Sequence, residues 1–260
     1  MGWLMKLRLW QIAHYQYSGQ LDKAVAKLDR LIEKHEHDRS LALYADLLKR
    51  RGFIYYLKGD NEKFLQNLSV ALDIAKKNKF HAEEANCRGV LGIYYQQTEK
   101  NLEKALNFYD RAISIKWRLF DFIGLEKLAI NKATLLKEMN NYDEAIRLLT
   151  QVLQTTKDKR LKINCNLELG RLYLQKKDLS EARDYLLEAI RLVKNTQFVN
   201  EKGDCYRELG HLHFQQGDFV SSNENYTKAF QFYSQYGFKE KSHQMLQCIY
   251  NCQENENKDA

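Results

Sequence analysis

One five-residue pattern recurs along the chain, as Leu91-Gly92-Ile93-Tyr94-Tyr95, Leu169-Gly170-Arg171-Leu172-Tyr173 and Leu209-Gly210-His211-Leu212-His213. Gly52 followed by Tyr55 is a weaker copy. We call the glycine of this pattern the anchor. In several copies a second small residue follows the anchor by twelve positions, and a third follows the second by seven. Offsets as regular as these indicate an internal repeat. The twelve-residue step leads from Gly170 to Ala182, from Gly210 to Ser222 and from Ala133, which stands for the glycine, to Ala145; the seven-residue step leads from Ala182 to Ala189, from Ser222 to Ala229 and from Ala105 to Ala112.

Short polar turns divide each repeat into two halves, and we predict that the halves are antiparallel helices. Small residues at the helix crossing let the backbones approach, and a bulky residue between them fills the neighbouring space. Asp178 with Glu181, and Asn141 with Glu144, match capping boxes that would start the second helix. The turns are Gly59-Asp60, Lys100-Asn101, Asn140-Asn141, Lys177-Asp178 and Gly217-Asp218, and the bulky residues are Leu28, Leu68, Tyr109, Leu149, Leu186 and Tyr226.

A glycine-anchored helix pair with small residues at these offsets resembles the tetratricopeptide repeat over about six repeats, from Leu4 to Tyr236. The anchors fall at positions 12, 52, 92, 133, 170 and 210, a longer spacing than the usual 34 residues. The family's proline after the second helix and tryptophan at the start of the first are missing. HEAT and armadillo units have similar periods and remain the alternative fold, but they do not explain the Leu-Gly-x-x-Tyr block.

These observations predict an all-α fold, a right-handed superhelical solenoid of about six helix pairs with a capping helix at its C-terminal end. We predict a single domain over residues 1–252, with a capping helix over 239–252 and a flexible tail over 253–260. The predicted repeats cover approximately 4–37, 40–79, 81–119, 122–157, 159–196 and 199–236.

Composition narrows the functional classes. The 260 residues carry a net charge of +7 and contain no proline, which argues against Pro-rich linkers and turn-dense β folds. The positive residues are dispersed among acids, so a solvated helical surface is favoured over a nucleic-acid interface. There is no long apolar run and no signal-peptide layout, and the five cysteines are an odd number. We therefore expect a cytoplasmic protein with no membrane partner and no disulfides.

The first helix of each repeat would line a concave wall. A helical wheel that takes the anchor as position 8 places positions 2, 5, 6, 9 and 13 on the side away from the partner helix. We expect amides at these positions to pair with the backbone of an extended peptide, and charged groups to select its side chains. His211, the histidine at these positions, would add a pH-sensitive contact. A solvated face that is merely polar is the alternative. The predicted binding residues are Asp46, Lys49, Arg50, Asn86, Gln97, Lys127, Asn131, Asn164, Arg171, Gln175, Asp204, Arg207, His211 and Gln215.

The longer repeat is similar to that of bacterial peptide-pheromone receptors of the Rap and PlcR type and of adaptors such as LGN and kinesin light chain. The resemblance implies a peptide or protein partner. In the receptors asparagines hold the peptide backbone, and the candidates for that role here are Asn86, Asn131 and Asn164. No helix-turn-helix segment precedes the first repeat, so we do not expect this chain to contain the DNA-binding half of a PlcR-type regulator. The apolar start would pack against an attached upstream domain or cap; it consists of Trp3, Leu4, Leu7 and Trp10. We favour the alternative that these four residues form the core face of the first helix.

Catalytic and metal chemistry is not expected. Cys87, Cys165 and Cys205 share one repeat position, which indicates packing and not metal or redox use. There is no phosphate-binding loop, no Gly-x-Ser-x-Gly elbow and no His-Glu-x-x-His helix, so no cofactor is predicted. Two functions remain: a regulatory module that holds an extended peptide in its groove, and a passive assembly subunit that binds through its convex face or ends.

Overall fold

The computed structural model describes residues 3–35 and 41–259. Within those ranges it contains α-helices and no strand, which confirms the all-α prediction. The helices are α1 (Trp3–Tyr17), α2 (Leu21–His35), α3 (Leu41–Leu57), α4 (Asn61–Lys77), α5 (His81–Gln97), α6 (Leu102–Arg118), α7 (Phe122–Glu138), α8 (Tyr142–Thr155), α9 (Lys159–Gln175), α10 (Leu179–Val193), α11 (Val199–Gln215), α12 (Phe219–Gln235) and α13 (Lys239–Asp259).

The helices form two compact units, residues 1–128 (unit 1) and 129–260 (unit 2), and the boundary lies inside α7. In unit 1, α1 packs with α2, α3 with α4 and α5 with α6. In unit 2, α9 packs with α10, α11 packs with α12, and α13 lies against α12. The repeat limits and the single domain inferred from the sequence stay predictions, and residues 36, 37 and 40 of the first two repeats lie outside the described residues.

Close helix crossings form where the sequence places its glycines. A Cβ atom added to Gly92 would lie 2.6 Å from a ring carbon of Tyr109, and one added to Gly170 would lie 2.6 Å from Leu186 Cδ2. Gly210 meets Tyr226 in the same way. The bulky residue of each second helix therefore fills the space that the glycine leaves, and this interlocking fixes how the two helices of a pair cross.

The predicted polar turns all lie between helices. The first residue of each turn has a positive, left-handed φ, which ranges from 54° at Lys100 to 79° at Gly59. A residue in this conformation does not continue an α-helix, so the first helix of each pair ends before it. Asp178 then accepts a hydrogen bond from the Glu181 N–H at 3.2 Å, so this predicted N-cap is confirmed. Asn141 is a correction: it forms no cap bond, because its side-chain amide donates instead to the Glu144 carboxylate at 2.8 Å.

Both ends of the chain differ from expectation. α1 turns Met5, Leu9 and Ile12 toward the core, whereas Trp3 and Trp10 are exposed. The core-face interpretation is therefore wrong for the tryptophans and also for the exposed Leu4 and Leu7.

At the other end, α13 continues past Cys252 to Asp259, so residues 253–259 are helical where we predicted a tail. Glutamate, glutamine and lysine favour helix, which explains the extension.

Candidate functional site

A cleft of about 660 Å³ opens inside unit 2, between α9, α11 and α13. Five of the predicted binding residues line it, namely Arg171, Gln175, Arg207, His211 and Gln215. The other lining residues are Lys137, Leu174, Glu208, Phe214, Gln244, Met245, Gln247, Cys248 and Asn251.

Helical spacing explains why these side chains converge. Arg207, His211 and Gln215 are each four residues apart on α11, so they share one face of that helix. Arg171 and Gln175 have the same spacing on α9, which packs beside α11.

The contribution of α13 was missed from the sequence because that helix was interpreted only as a cap. A polar series at i, i+3 and i+7 on α13 was the available signal: Gln244, Gln247 and Asn251.

An ion-pair network runs along the wall of the cleft. Arg171 on α9 pairs with Glu208 on α11 at 2.9 Å and with Glu168 on its own helix. Glu168 also accepts from Lys137 of α7 at 2.9 Å, and Glu208 accepts from Arg207 at 2.7 Å. The network extends to α13 through Asp204, which pairs with Arg207 at 3.3 Å and with Lys241 at 2.9 Å.

The network stays ionised at neutral pH. Burial alone would raise the pKa of Glu208, but Arg171 and Arg207 outweigh it and lower that pKa to about 2. Arg171 and Lys137 likewise hold the pKa of the buried Glu168 below its usual value. The network contains four cations and three carboxylates, so it has a net charge of +1. The cations are Lys137, Arg171, Arg207 and Lys241, and the carboxylates are Glu168, Glu208 and Asp204.

Five side-chain amides at the mouth of the cleft are exposed, and none of them forms a hydrogen bond with another described residue. They are Gln175, Gln215, Gln244, Gln247 and Asn251. Below them, Leu174 and Met245 are buried and Phe214 is half-buried, which gives the cleft an apolar floor. Free amides above an apolar floor are the groups that an extended peptide would need for its backbone and side chains.

His211 lies at the inner side of the cleft. Its Nδ1 is 2.7 Å from the Tyr226 hydroxyl, and burial lowers its pKa, an effect that Glu208 partly offsets. The imidazole is therefore neutral at pH 7 and contributes a hydrogen-bonding group, not a charge.

Four predicted residues of unit 1 belong to a second network, which contains two carboxylates, those of Asp46 and Glu83. Lys49 joins Asp46 at 2.7 Å and Glu83 of α5 at 2.8 Å, and Arg50 pairs with Asp46 at 2.8 Å. The Asn86 amide donates to Glu83 at 3.4 Å. Here too the charged residues bind one another and tie α3 to α5.

The remaining predicted residues do not line the cleft. Gln97 accepts from the Tyr56 hydroxyl at 2.8 Å, and Lys127 is exposed on α7. Asn131 and Asn164 are half-buried, so a backbone clamp by these asparagines stays a prediction. Asp204 lies behind the cleft, where it accepts from Tyr233 at 2.5 Å.

Neither metal nor thiol chemistry is supported by the described residues. No group of three His, Cys, Asp or Glu residues among them could hold a metal ion. Burial raises the pKa of Cys87 and Cys205 to about 12, which fits their predicted packing role. None of the described helices is long and apolar enough to cross a bilayer.

The sequence matches the family model described as Tetratricopeptide repeat over residues 42–116 and 125–195, more than half of its length. No curated protein matches it by sequence.

Several solved structures are similar. BtubC (BKLC) from P. vanneervenii has a TM-score of 0.70 at 17% identity, over 82% of this chain and 91% of that one. A signal transduction ATPase (STAND) protein with a tetratricopeptide repeat sensor, from Pyrococcus horikoshii, has a TM-score of 0.72 at 17% identity over 95% of this chain. This chain spans only 36% of that protein's length.

The quorum sensor NprR is similar in two states. Its apo form from B. thuringiensis has a TM-score of 0.69 at 16% identity, over 94% of this chain and 69% of that one. NprR in complex with its cognate peptide NprX has a TM-score of 0.68 at 18% identity, over 96% and 74%. Identities this low show a shared fold and no more.

Proposed function

Because this chain belongs to the tetratricopeptide repeat family, we propose that it is a regulatory scaffold that holds an extended peptide, or an extended segment of a partner protein, in the cleft of unit 2. The observation that carries the proposal is the set of five unpaired amides above an apolar floor. Each amide offers two donors and an acceptor, so it can bind the N–H and C=O groups of a peptide whatever its sequence.

The ion-pair network supports the same function in a different way. Its arginines already have carboxylate partners, so they hold α9, α11 and α13 in place and leave the amides to contact the ligand. The surplus positive charge favours a ligand that brings a carboxylate, either an acidic side chain or a free C-terminus. NprR supports the proposal because a protein of this fold binds a peptide.

Peptide selection tests the proposal. A random peptide library is selected on the full-length protein, and the affinities of the recovered peptides are compared between wild type and the variant Gln175→Ala/Gln215→Ala. Two lost hydrogen bonds at about 0.5–1.5 kcal/mol each should weaken binding by about 5- to 150-fold. The matched control is Gln231→Ala/Gln235→Ala, which removes two exposed amides of α12 outside the cleft lining and should leave affinity unchanged.

The asparagine clamp inferred from the sequence makes the opposite prediction. If Asn86, Asn131 and Asn164 hold the peptide, replacing all three with alanine abolishes binding, whereas a ligand seated in the unit 2 cleft loses less than about threefold. A peptide lost by the triple variant and kept by the double glutamine variant would move the site away from this cleft.

One feature favours a second role as an assembly subunit. Trp3 and Trp10 on α1 are 73% and 65% exposed, and exposed aromatic side chains of this kind are typical of surfaces that bind a partner protein. A pull-down experiment tests that role. A partner protein that binds the wild type and the variant Gln175→Ala/Gln215→Ala, but does not bind the variant Trp3→Ser/Trp10→Ser, would support it.

A further inference from the structure

The turn between α6 and α7 exposes an aromatic residue in an unfavourable backbone conformation. Nine of the described residues have a positive φ, and eight of these are glycine, lysine or asparagine. The ninth is Phe120, with φ 54° and 77% of its surface exposed. A bulky residue rarely adopts this conformation, and the exposed ring gains almost nothing from burial. The Phe120 N–H donates to the Trp117 carbonyl and the Asp121 N–H to the Lys116 carbonyl, both at 3.1 Å, so the left-handed residue caps the end of α6. That capping role does not require an aromatic ring, which leaves the exposed Phe120 side chain available to a partner outside unit 1.

Phe120 is the tip of a larger apolar cluster, which we call the aromatic turn: Trp117, Leu119, Phe120, Phe122 and Ile123, all exposed. The rings of Trp117 and Phe122 meet edge to face at 6.3 Å, and Phe122 lies 6.4 Å from Phe120. Asp121 fixes the turn by accepting from the Gly124 N–H at 3.0 Å and from Lys116 at 2.6 Å. The only acid in the turn is thus neutralised, and the apolar side chains are left facing outward.

The same edge of unit 1 is basic. The second helix of each pair, α2, α4 or α6, ends at this edge. Five exposed cations lie in the last turns of these helices or just after them, and none has an ion-pair partner among the described residues. They are Lys34, Lys76, Lys77, Lys79 and Arg118. The exposed carboxylates beside these cations are Glu33 and, one residue before the last turn of α4, Asp73. At the start of α5, Glu83 and Glu84 are already paired with Lys49 and Arg88.

We propose that this edge of unit 1 docks on an anionic lipid surface, with the aromatic turn inserted among the headgroups. Tryptophan and phenylalanine partition into the membrane interface, and lysine and arginine beside them are attracted to anionic headgroups. The apolar tip lies on an edge where exposed cations outnumber exposed carboxylates, and this combination matches a flat anionic surface. No membrane-spanning helix is required, because such binding is peripheral.

Vesicle co-sedimentation of the full-length protein tests the proposal, with phosphatidylcholine vesicles containing about 30% phosphatidylserine and with phosphatidylcholine alone. We expect binding to the anionic vesicles and loss of that binding at high salt. Phe120→Ser should lower the partition coefficient about tenfold, since the inserted ring is lost. The matched control Val220→Ser removes an exposed apolar residue of α12 and should have no effect.

Charge reversal tests the electrostatic part. Lys76→Glu/Lys77→Glu should lower binding by more than about tenfold. Lys23→Glu/Lys100→Glu changes two exposed lysines near the opposite ends of the helices of unit 1 and should reduce binding much less.

Fluorescence reports insertion directly. The protein has three tryptophans, and the double variant Trp3→Phe/Trp10→Phe retains only Trp117. The fluorescence emission of Trp117 should shift to shorter wavelength when anionic vesicles are added. Three results would overturn the proposal: no binding to anionic vesicles, binding that Phe120→Ser leaves unchanged, or an RNA duplex that binds while the vesicles do not. Circular dichroism of each variant checks that the fold is retained.

Discussion

The guanidinium of Arg171 on α9 lies 2.9 Å from the carboxylate of Glu208 on α11, and this ion pair joins two neighbouring first helices of unit 2. Both side chains are largely buried, and each has a second partner, Glu168 for Arg171 and Arg207 for Glu208. Consecutive first helices are joined in the same way by Lys49 and Glu83 in unit 1. The charged residues that the sequence places on this face thus join neighbouring first helices.

Removing the arginine should be costly. Arg171→Leu leaves Glu208 and Glu168 buried with fewer cations, and we expect the free energy of unfolding to fall by about 3 kcal/mol. Urea unfolding followed by circular dichroism measures it. The control is Arg191→Leu, which removes an arginine paired with Glu188 in an exposed position and should change stability little. Equal losses in the two variants would mean that burial of the pair is unimportant.

The free energy of unfolding should depend on pH at acidic values, because Glu208 has a lowered pKa in the folded protein. Its pKa is about 2 in the folded protein against 4.5 ordinarily, so its stabilising contribution is complete above about pH 4.5 and is lost as the pH falls toward 2. The wild type should therefore lose its stability advantage over Glu208→Gln across that window. Urea unfolding at pH 7, 4 and 3 measures the difference between the two. A constant difference would show that the carboxylate is not held in its charged form.

A glycine crossing offers a test by double substitution. Gly170→Ala would place a methyl group 2.6 Å from Leu186 Cδ2, and we expect a loss of about 1–3 kcal/mol although alanine is the better helix former. In a Leu186→Ala background the methyl group has room, so the same substitution should cost nothing or stabilise. Additive effects in the thermodynamic cycle would contradict the interlocking.

Phe120 should be a site of easy stabilisation. Phe120→Gly removes the left-handed strain of a bulky residue and loses few contacts, so the free energy of unfolding should rise by about 1 kcal/mol. Lys177→Gly, at φ 59° in a different turn, should raise it similarly. Leu119→Gly lies at φ −87° and should lower it. Thermal unfolding of the three variants separates backbone strain from a general effect of glycine.

The sequence was sufficient for the fold because its information is periodic. The glycine at each crossing, the bulky residue opposite it and the polar turn repeat at fixed offsets, so one correct interpretation at Gly170 extends to Gly92 and Gly210. Asn141 failed as a cap because Asn and Glu side chains can also bond each other, and local sequence does not decide between the two arrangements.

The site was less predictable. A helical wheel identifies which face of α11 Arg207 and His211 occupy, but it does not show that Arg207 is already paired with Glu208. Pairing between helices depends on side-chain reach across repeats, a quantity that a single helix does not encode. Phe120 was missed for a related reason, since nothing in its local sequence reveals the sign of its φ.

The distribution of the five thiols has a practical consequence. Cys87, Cys165, Cys205 and Cys252 are buried, and Cys248, partly exposed, lines the cleft. A maleimide dye added to the unmodified protein should therefore label one position, beside the amides proposed to hold the ligand. Burial raises the pKa of that thiol, so labelling will be faster in mildly alkaline buffer. The chain thus carries a built-in attachment point for a fluorescent reporter of cleft occupancy.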